Sequence, residues 1–238
     1  MRCENMSELI FDIETIGEDF EALDKTTQNA LIHWIESEVA DDDKKARELE
    51  NLKNGMGFSP LTGEIVAIGM LDCARGKGAV YFQAPHAEIK DFEEDSFVFR
   101  AMNEQDMLAK FWEGAREYSH FVSFNGRAFD APFLMVRSAI HKIRPTVNLM
   151  PYRYAQNPIH IDLYDQLSFY GSMRRRGSLH LWSRAFGIES PKAGGINGDD
   201  VAPLFKAGKY LDIARYNARD LHATKSLYEY WRDYIHFS

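Results

Sequence analysis

The chain has 238 residues, 45% hydrophobic and 13% aromatic, which is enough apolar material for a sizeable core and too much for a disordered segment. No apolar run approaches the ~20 residues of a membrane-spanning helix. Met1-Arg2-Cys3-Glu4-Asn5 lacks a signal-peptide core, and two cysteines, Cys3 and Cys73, make neither a disulfide framework nor a zinc cluster, so a reducing, cytoplasmic setting is expected. The net charge of −8 disfavours an anionic partner on average, but residues 131–188 hold eight Lys or Arg against only Asp162 and Asp165. That segment is +6 and the remainder −14, so a local basic surface for a phosphate backbone is compatible with the acidic total.

In chain order, Glu8-Leu9-Ile10-Phe11-Asp12-Ile13-Glu14 reads as a buried strand that Thr15-Ile16-Gly17 ends. Residues 18–58 form a polar, charged insertion with a helix over 27–39 and a second helix after Asp41-Asp42-Asp43 that frays at Gly55-Met56-Gly57. It suits a lid, an interaction surface or a solvated hairpin. Glu64 to Cys73 predicts a strand, and Arg75-Gly76-Lys77-Gly78 a hairpin onto Ala79–Phe82; an acidic stretch, 88–95, follows. A helix is predicted over 103–118, a strand over 120–124, and a helix opening at Asp130-Ala131-Pro132, where the Asp is a natural N-cap. Residues 144–160 read as loop, 159–163 as a short strand, 171–177 as a basic loop, 178–186 as a helix and 194–198 as flexible. The last helix covers about 209–234. This order predicts an α/β fold, three strands in a meander joining a mixed sheet with helices packed on it, in one domain over 1–238.

Asp12 and Glu14 alternate with Ile13 and so share one face of their strand. Two anions side by side against an apolar run repel and desolvate badly, and a divalent cation relieves both penalties. Asp130 follows a strand-ending turn, and Asp220 lies mid-helix on the apolar side, with Tyr216 one turn earlier on the same face. Each acid alone has an ordinary explanation: a solvated strand end, a cap, a surface ion pair. Together they suit two Mg²⁺ or Mn²⁺ ions roughly 4 Å apart that clamp the attacking and leaving oxygens of an in-line phosphoryl displacement. Arg174, Arg175 and Arg176 are candidate phosphate contacts or a solvated loop, and Asp162 and Asp165 read as structural.

Asp12-Ile13-Glu14-Thr15-Ile16-Gly17, Asn125-Gly126-Arg127-Ala128-Phe129-Asp130 and Tyr216-Asn217-Ala218-Arg219-Asp220 resemble, in order, the three motifs of the DEDD 3′–5′ exonucleases, which have a ribonuclease H-like fold. The third motif is the tyrosine form, since Arg215 stands where the histidine form needs His. The resemblance runs from residue 8 to about 231, apart from the insertion, and is nearest to stand-alone relatives of the family B DNA polymerase proofreading domain. It implies metal binding by Asp12, Glu14, Asp130 and Asp220, with Tyr216 aligning the nucleophile. It further implies terminal-nucleotide contacts by Thr15 and Ile16, with Asn125 and Phe129 along the single strand. Phe129 is then a stacking wedge or ordinary core.

The function expected is hydrolysis from the 3′ end of single-stranded nucleic acid, DNA favoured. Two alternatives stand beside it. One is an RNA 3′ trimming nuclease with the same site. The other is a catalytically silent domain that holds nucleic acid, or a replication or repair protein through the 18–58 insertion. No membrane role is expected.

Overall fold

The computed structural model describes residues 7–155, 158–175 and 177–237. Cys3 and Arg176 lie outside them. Strand β1 (Glu8–Gly17) sends alternate side chains to opposite faces of the sheet. Leu9, Phe11 and Ile13 enter one apolar cluster, with Ile65, Ile68 and Met70 and with Met107, Phe111, Trp112 and Leu134. Ile10 enters the other, with Val66, Leu71, Val80, Val122, Ile213 and Leu221. Each fully buried large side chain contributes about 1.5–3 kcal/mol of burial free energy, so this alternation fixes which face is which.

After β1 come helices α1 (Lys25–Glu38) and α2 (Asp42–Gly55), N-capped by Asp24 and Asp41. Only Gln28 and Ile35 of α1 are buried, and no residue of α2. A short turn at Met56–Phe58 returns the chain to the end of β1, where Thr15 donates its hydroxyl to the Gly57 carbonyl at 2.7 Å. Gly17 ends β1 as expected, but its role is space: a Cβ there would stand 2.5 Å from the Met56 Cβ.

Strand β2 (Gly63–Asp72) runs antiparallel to β1, and β3 (Gly78–Phe82) antiparallel to β2. The simple meander ends there. The acidic stretch is a hairpin, β4 (Phe92–Glu94) and β5 (Phe97–Ala101), turned by Asp95 (φ 48°) and Ser96 (φ 70°), and β5 pairs parallel to β3. Phe92 stacks on Phe99 at 4.9 Å, and Glu94 accepts two hydrogen bonds from Arg215 at 2.8 Å, so the charge run conceals an apolar alternation. Helix α3 (Glu104–Ala115) precedes β6 (His120–Ser123), α4 (Asp130–Ile140) precedes β7 (His160–Asp162), and α5 (Leu163–Leu167) follows directly. Helices α6 (Leu179–Ala185), α7 (Val201–Lys206) and α8 (Tyr210–Tyr234) complete the chain. The glycine-rich stretch before α7 is folded rather than flexible, as two short turns capped by Ser190 and Asn197.

The seven strands lie in the order β4-β5-β3-β2-β1-β6-β7, with β1, β6 and β7 parallel. This is an α/β, ribonuclease H-like sheet flanked by helices. Among the described residues no helix is long and apolar enough to cross a membrane.

On the α3–α4 side, buried Glu104 ties three elements together. It accepts from the Ile65 N–H at 2.8 Å and from Arg137 at 2.8 and 2.6 Å, and it meets His141 Nε2 at 2.7 Å. Burial opposes its charge, yet these donors outweigh burial and hold the carboxyl below its usual range. Stability from Glu104 is therefore present above the ordinary Glu pKa and lost as pH falls through the lowered one. Glu104→Ala leaves the Arg137 guanidinium partly buried without its carboxylate, and a loss of about 3–5 kcal/mol is expected at neutral pH, read by thermal or urea denaturation.

Candidate active site: an acid cluster between strand β1 and helix α8

The face of β1 that carries Ile10 also carries Asp12 and Glu14, and α8 packs across that face. Asp12 pairs in register with Gly69 of β2, and the β1–β2 ladder shifts between Glu14 and Thr15, a bulge beside the acids. One oxygen each from Asp12, Glu14 and Asp220 lies within 4.8 Å of the others. Glu14 and Asp220 are buried and Asp12 half-buried.

Asp130 stands next to this trio but outside the closest group. It does not cap its helix: the N-cap position is Phe129, and Asp130 is the first helical residue. Its Oδ1 accepts the Ile13 N–H at 2.9 Å, from a strand residue sitting between the two β1 acids. A cap reading fails because the donor that Asp130 satisfies lies 117 positions away.

Burial raises the pKa of all four acids, and repulsion from neighbouring carboxylates adds to it for Asp12, Glu14 and Asp130. Burial, then the charges of Asp130, Asp220 and Glu14, push Asp12 well up, while the Asn217 amide pulls the other way. Glu14 rises for the same reasons. Asp130 is pushed up to about 7, chiefly by burial, against the Ile13 and its own N–H groups. Asp220 is likewise at about 7, with the Tyr216 hydroxyl, Arg219 and Lys192 opposing burial. Tyr216 is buried beside these carboxylates and is pushed above its ordinary value, so it stays a neutral phenol that donates to Asp220.

Four further residues surround the acids, and of these Asn217, Gly69 and Lys192 escaped the sequence reading. Asn217, fully buried, donates from Nδ2 to Asp12 Oδ2 at 2.8 Å. Gly69 makes room for it, since a Cβ there would lie 2.0 Å from Asn217 Oδ1. That Oδ1 has no hydrogen-bond partner among the described residues, a cost of about 1–3 kcal/mol carried to keep the donor on Asp12. Arg219 lies over the Tyr216 ring at 5.9 Å, donates to the Pro191 carbonyl at 3.2 Å, and with Lys192 sets positive charge near Asp220. The available signal for Asn217 was its place on the buried stripe of α8, with Ile213, Asp220, Leu221 and Thr224.

The remaining expected contacts are mixed. Thr15 has its hydroxyl committed to Gly57, and Ile16 is half-buried against the core. Asn125, at φ 66°, turns the chain after β6 and donates its N–H to Asp162 at 2.8 Å. Phe129 is half-buried, packed on Phe133 at 5.4 Å with exposed Phe58 at 6.4 Å on another side. Arg174 and Arg175 are exposed, with no ion-pair partner among the described residues. Asp162 accepts the N–H groups of Asn125, Arg127 and Tyr164, and Asp165 pairs with Arg153.

Residues 65–234 match the model of the family described as "Predicted 3'-5' exonuclease related to the exonuclease domain of PolB". The chain belongs to this family. The match begins past β1, so the Asp12–Glu14 pair lies before the matched span. The chain is 22% identical to DNA polymerase 1 of Sulfurisphaera ohwakuensis over 91% of its own length and 26% of that protein's. Its fold resembles the family B DNA polymerase of the hyperthermophilic archaeon Pyrobaculum calidifontis, with a TM-score of 0.59 and 16% identity over 96% of this chain and 25% of that one. It thus spans about a quarter of the length of these polymerases.

As a PolB-like exonuclease domain the chain presents hard carboxylate oxygens, close together and underprotected by donors, a donor set that fits Mg²⁺ or Mn²⁺. Without metal, Asp130 and Asp220 hold protons up to about pH 7, against 3.8 for the ordinary carboxyl. The stability they contribute is complete below about 3.8 and lost as pH rises through 7. The metal-free melting temperature is therefore expected to fall between pH 5 and pH 8, and Mg²⁺ to restore more of it at pH 8. Asp220→Asn removes one repelling charge and should raise the metal-free melting temperature at pH 8. Asn217→Ala should instead reduce the Mg²⁺-induced increase, with cation affinity down roughly 10–100-fold by titration.

Proposed function

We propose that this chain is a metal-dependent hydrolase that removes nucleotides from the 3′ end of single-stranded nucleic acid, DNA favoured, with all of 1–238 acting as one exonuclease unit. The observation that carries the reading is the convergence of Asp12, Glu14 and Asp220 within 4.8 Å, with the Tyr216 hydroxyl on Asp220, in a chain of an exonuclease family. DNA is favoured because the similar proteins are named DNA polymerases.

Asp12, Glu14, Asp130 and Asp220 would hold two Mg²⁺ or Mn²⁺ ions. When bound, the ions supply charge that favours a nucleophilic water near neutral pH and stabilises a leaving 3′ oxygen. Asn217 fixes the Asp12 carboxylate by its 2.8 Å bond, and the Ile13 N–H holds one Asp130 oxygen at 2.9 Å. Tyr216, neutral at working pH, orients the attacking water by hydrogen bonding and forms no covalent bond to the substrate. Thr15 and Ile16, at the bulged end of β1, meet the terminal nucleotide through backbone and apolar surface. Asn125 and Phe129 follow along the strand, and Arg174 and Arg175 contact its phosphates. The insertion's second helix buries no side chain and serves as the surface for a replication or repair partner.

The test is cleavage of 5′-labelled single-stranded DNA and RNA of one sequence with Mg²⁺, Mn²⁺ or EDTA. Wild type is expected to give a metal-dependent ladder shortening from the 3′ end, faster on DNA. Asp12→Ala and Asp220→Asn should abolish the ladder, and Tyr216→Phe should slow it roughly 10²-fold. Faster cleavage of RNA would make this a trimming ribonuclease. Strand binding with no ladder under any metal would make it a silent binding domain.

A further inference from the structure

A second feature lies on the same edge of the sheet as the acids. Strands β1, β6 and β7 run parallel, so Asp12, Ser123 and Asp162 come at one edge. From β7 the chain passes through α5 to Phe169 and Tyr170, both left-handed at φ 50° and 54°. Non-glycine residues hold such angles only when their surroundings over-determine them. Here Tyr170 N–H donates to the Asp165 carbonyl at 2.7 Å, and Gln166 Nε2 donates to the Tyr170 hydroxyl at 2.9 Å.

The loop carrying Tyr152 and Tyr154 is pinned beside this turn. Arg153 pairs with Asp165, and Arg127 Nη2 donates to the Pro151 carbonyl at 2.8 Å. Arg127 belongs to the turn that leads into Asp130, so the loop is tied to the segment that carries this acid. The rings form a chain: Tyr152 to Tyr154 at 5.9 Å, and Tyr154 to Tyr170 at 5.2 Å. They remain open to water, at 73%, 59% and 39% exposure, and Phe169 beside them is 57% exposed. An exposed aromatic group of this size marks a binding surface.

Charge selects the occupant. Asp162 and Asp165, the acids of segment 131–188, are both buried and bonded inward. The outward charge here comes from Arg174 and Arg175, on the loop that continues from Tyr170. Cations beside accessible π-faces suit a polyanion whose units carry flat rings. We propose that Tyr152, Tyr154 and Tyr170 form a stacking surface, flanked by Arg174 and Arg175, that holds bases of a single-stranded polynucleotide away from its 3′ end. Stacking on such a surface is sequence-tolerant, because every base has a π-face. This inference rests on the reading of the acid cluster as a site for single strands, and it adds a length requirement to it: strands long enough to span both places bind better than short ones.

The test uses the full chain in EDTA, so that no cleavage occurs, and the anisotropy of 5′-fluorescein single strands of about four and about sixteen nucleotides. Wild type should prefer the long strand. In Tyr152→Ala/Tyr154→Ala, the ratio of long-strand to short-strand affinity should fall about tenfold. The Tyr152→Phe/Tyr154→Phe variant should keep the ratio, because the rings remain. Circular dichroism shows whether the alanine variant is folded, and single Tyr154→Ala gives a milder second reading. An unchanged ratio, an equal loss on both lengths, or lost self-association with strand binding intact would overturn the proposal. Cleavage by wild type with no change in the alanine variant would sink the stacking surface alone. A length preference without any Mg²⁺-dependent cleavage would sink the exonuclease reading and keep the surface.

Discussion

Three carboxylates share a volume under 5 Å across, largely out of water. Each buried charge resists desolvation, and each raises the energy of the next. The fold tolerates the arrangement because protons stand in where a cation is absent, with Asp130 and Asp220 still half-protonated near neutrality. Much of the surrounding architecture follows from it. The Asn217 amide and the Ile13 N–H supply directed donors, while Arg219 and Lys192 supply nearby positive charge without neutralising the cluster by ion pairing. Full neutralisation by fixed arginines would stabilise the protein and close the site to metal, so the incomplete compensation is what leaves a cation something to bind.

The scaffold keeps this unstable centre in place by treating the faces of β1 differently. Leu9, Phe11 and Ile13 lock the strand to the α3–α4 layer, behind which Glu104, Arg137 and His141 join β2 to two helices. On the opposite face, the Tyr228 hydroxyl donates to Glu8 at 2.5 Å, pinning α8 at the start of the strand while Asn217 grips it at Asp12. Helix α8 is therefore registered against β1 at two points, and Asp220 has little freedom to drift from Glu14. Gly69 completes the device: a side chain on β2 would lift α8 off the sheet just where the acids must meet.

Asp12, Glu14 and Asp220 were legible because each is an acid breaking an apolar period, of two in a strand and of 3.6 in a helix, and such violations mark functional positions. Asp130 was legible as a position but not in its bonding, because its donor comes from β1 and no local pattern carries that information. The β4–β5 hairpin was hidden by Glu93, Glu94 and Asp95, whose charge masks the alternation of Phe92, Phe97 and Phe99. Asn217 went unnoticed because a neutral amide among helix residues disturbs the periodicity little. The tyrosines of 152–170 sat among prolines and asparagines that read as irregular loop, and only tertiary pinning by Arg153 and Arg127 turns them into one surface.

The bond from Asn217 to Asp12 joins residues 205 positions apart. A contact of that separation forms late, after the intervening chain has found its place. A chain synthesised only through β7 has the residues of all seven strands, yet it lacks the helix that brings the third acid. Assembly of the acid cluster is thus tied to α8, and a molecule clipped before Tyr210 lacks the carboxylate that completes it.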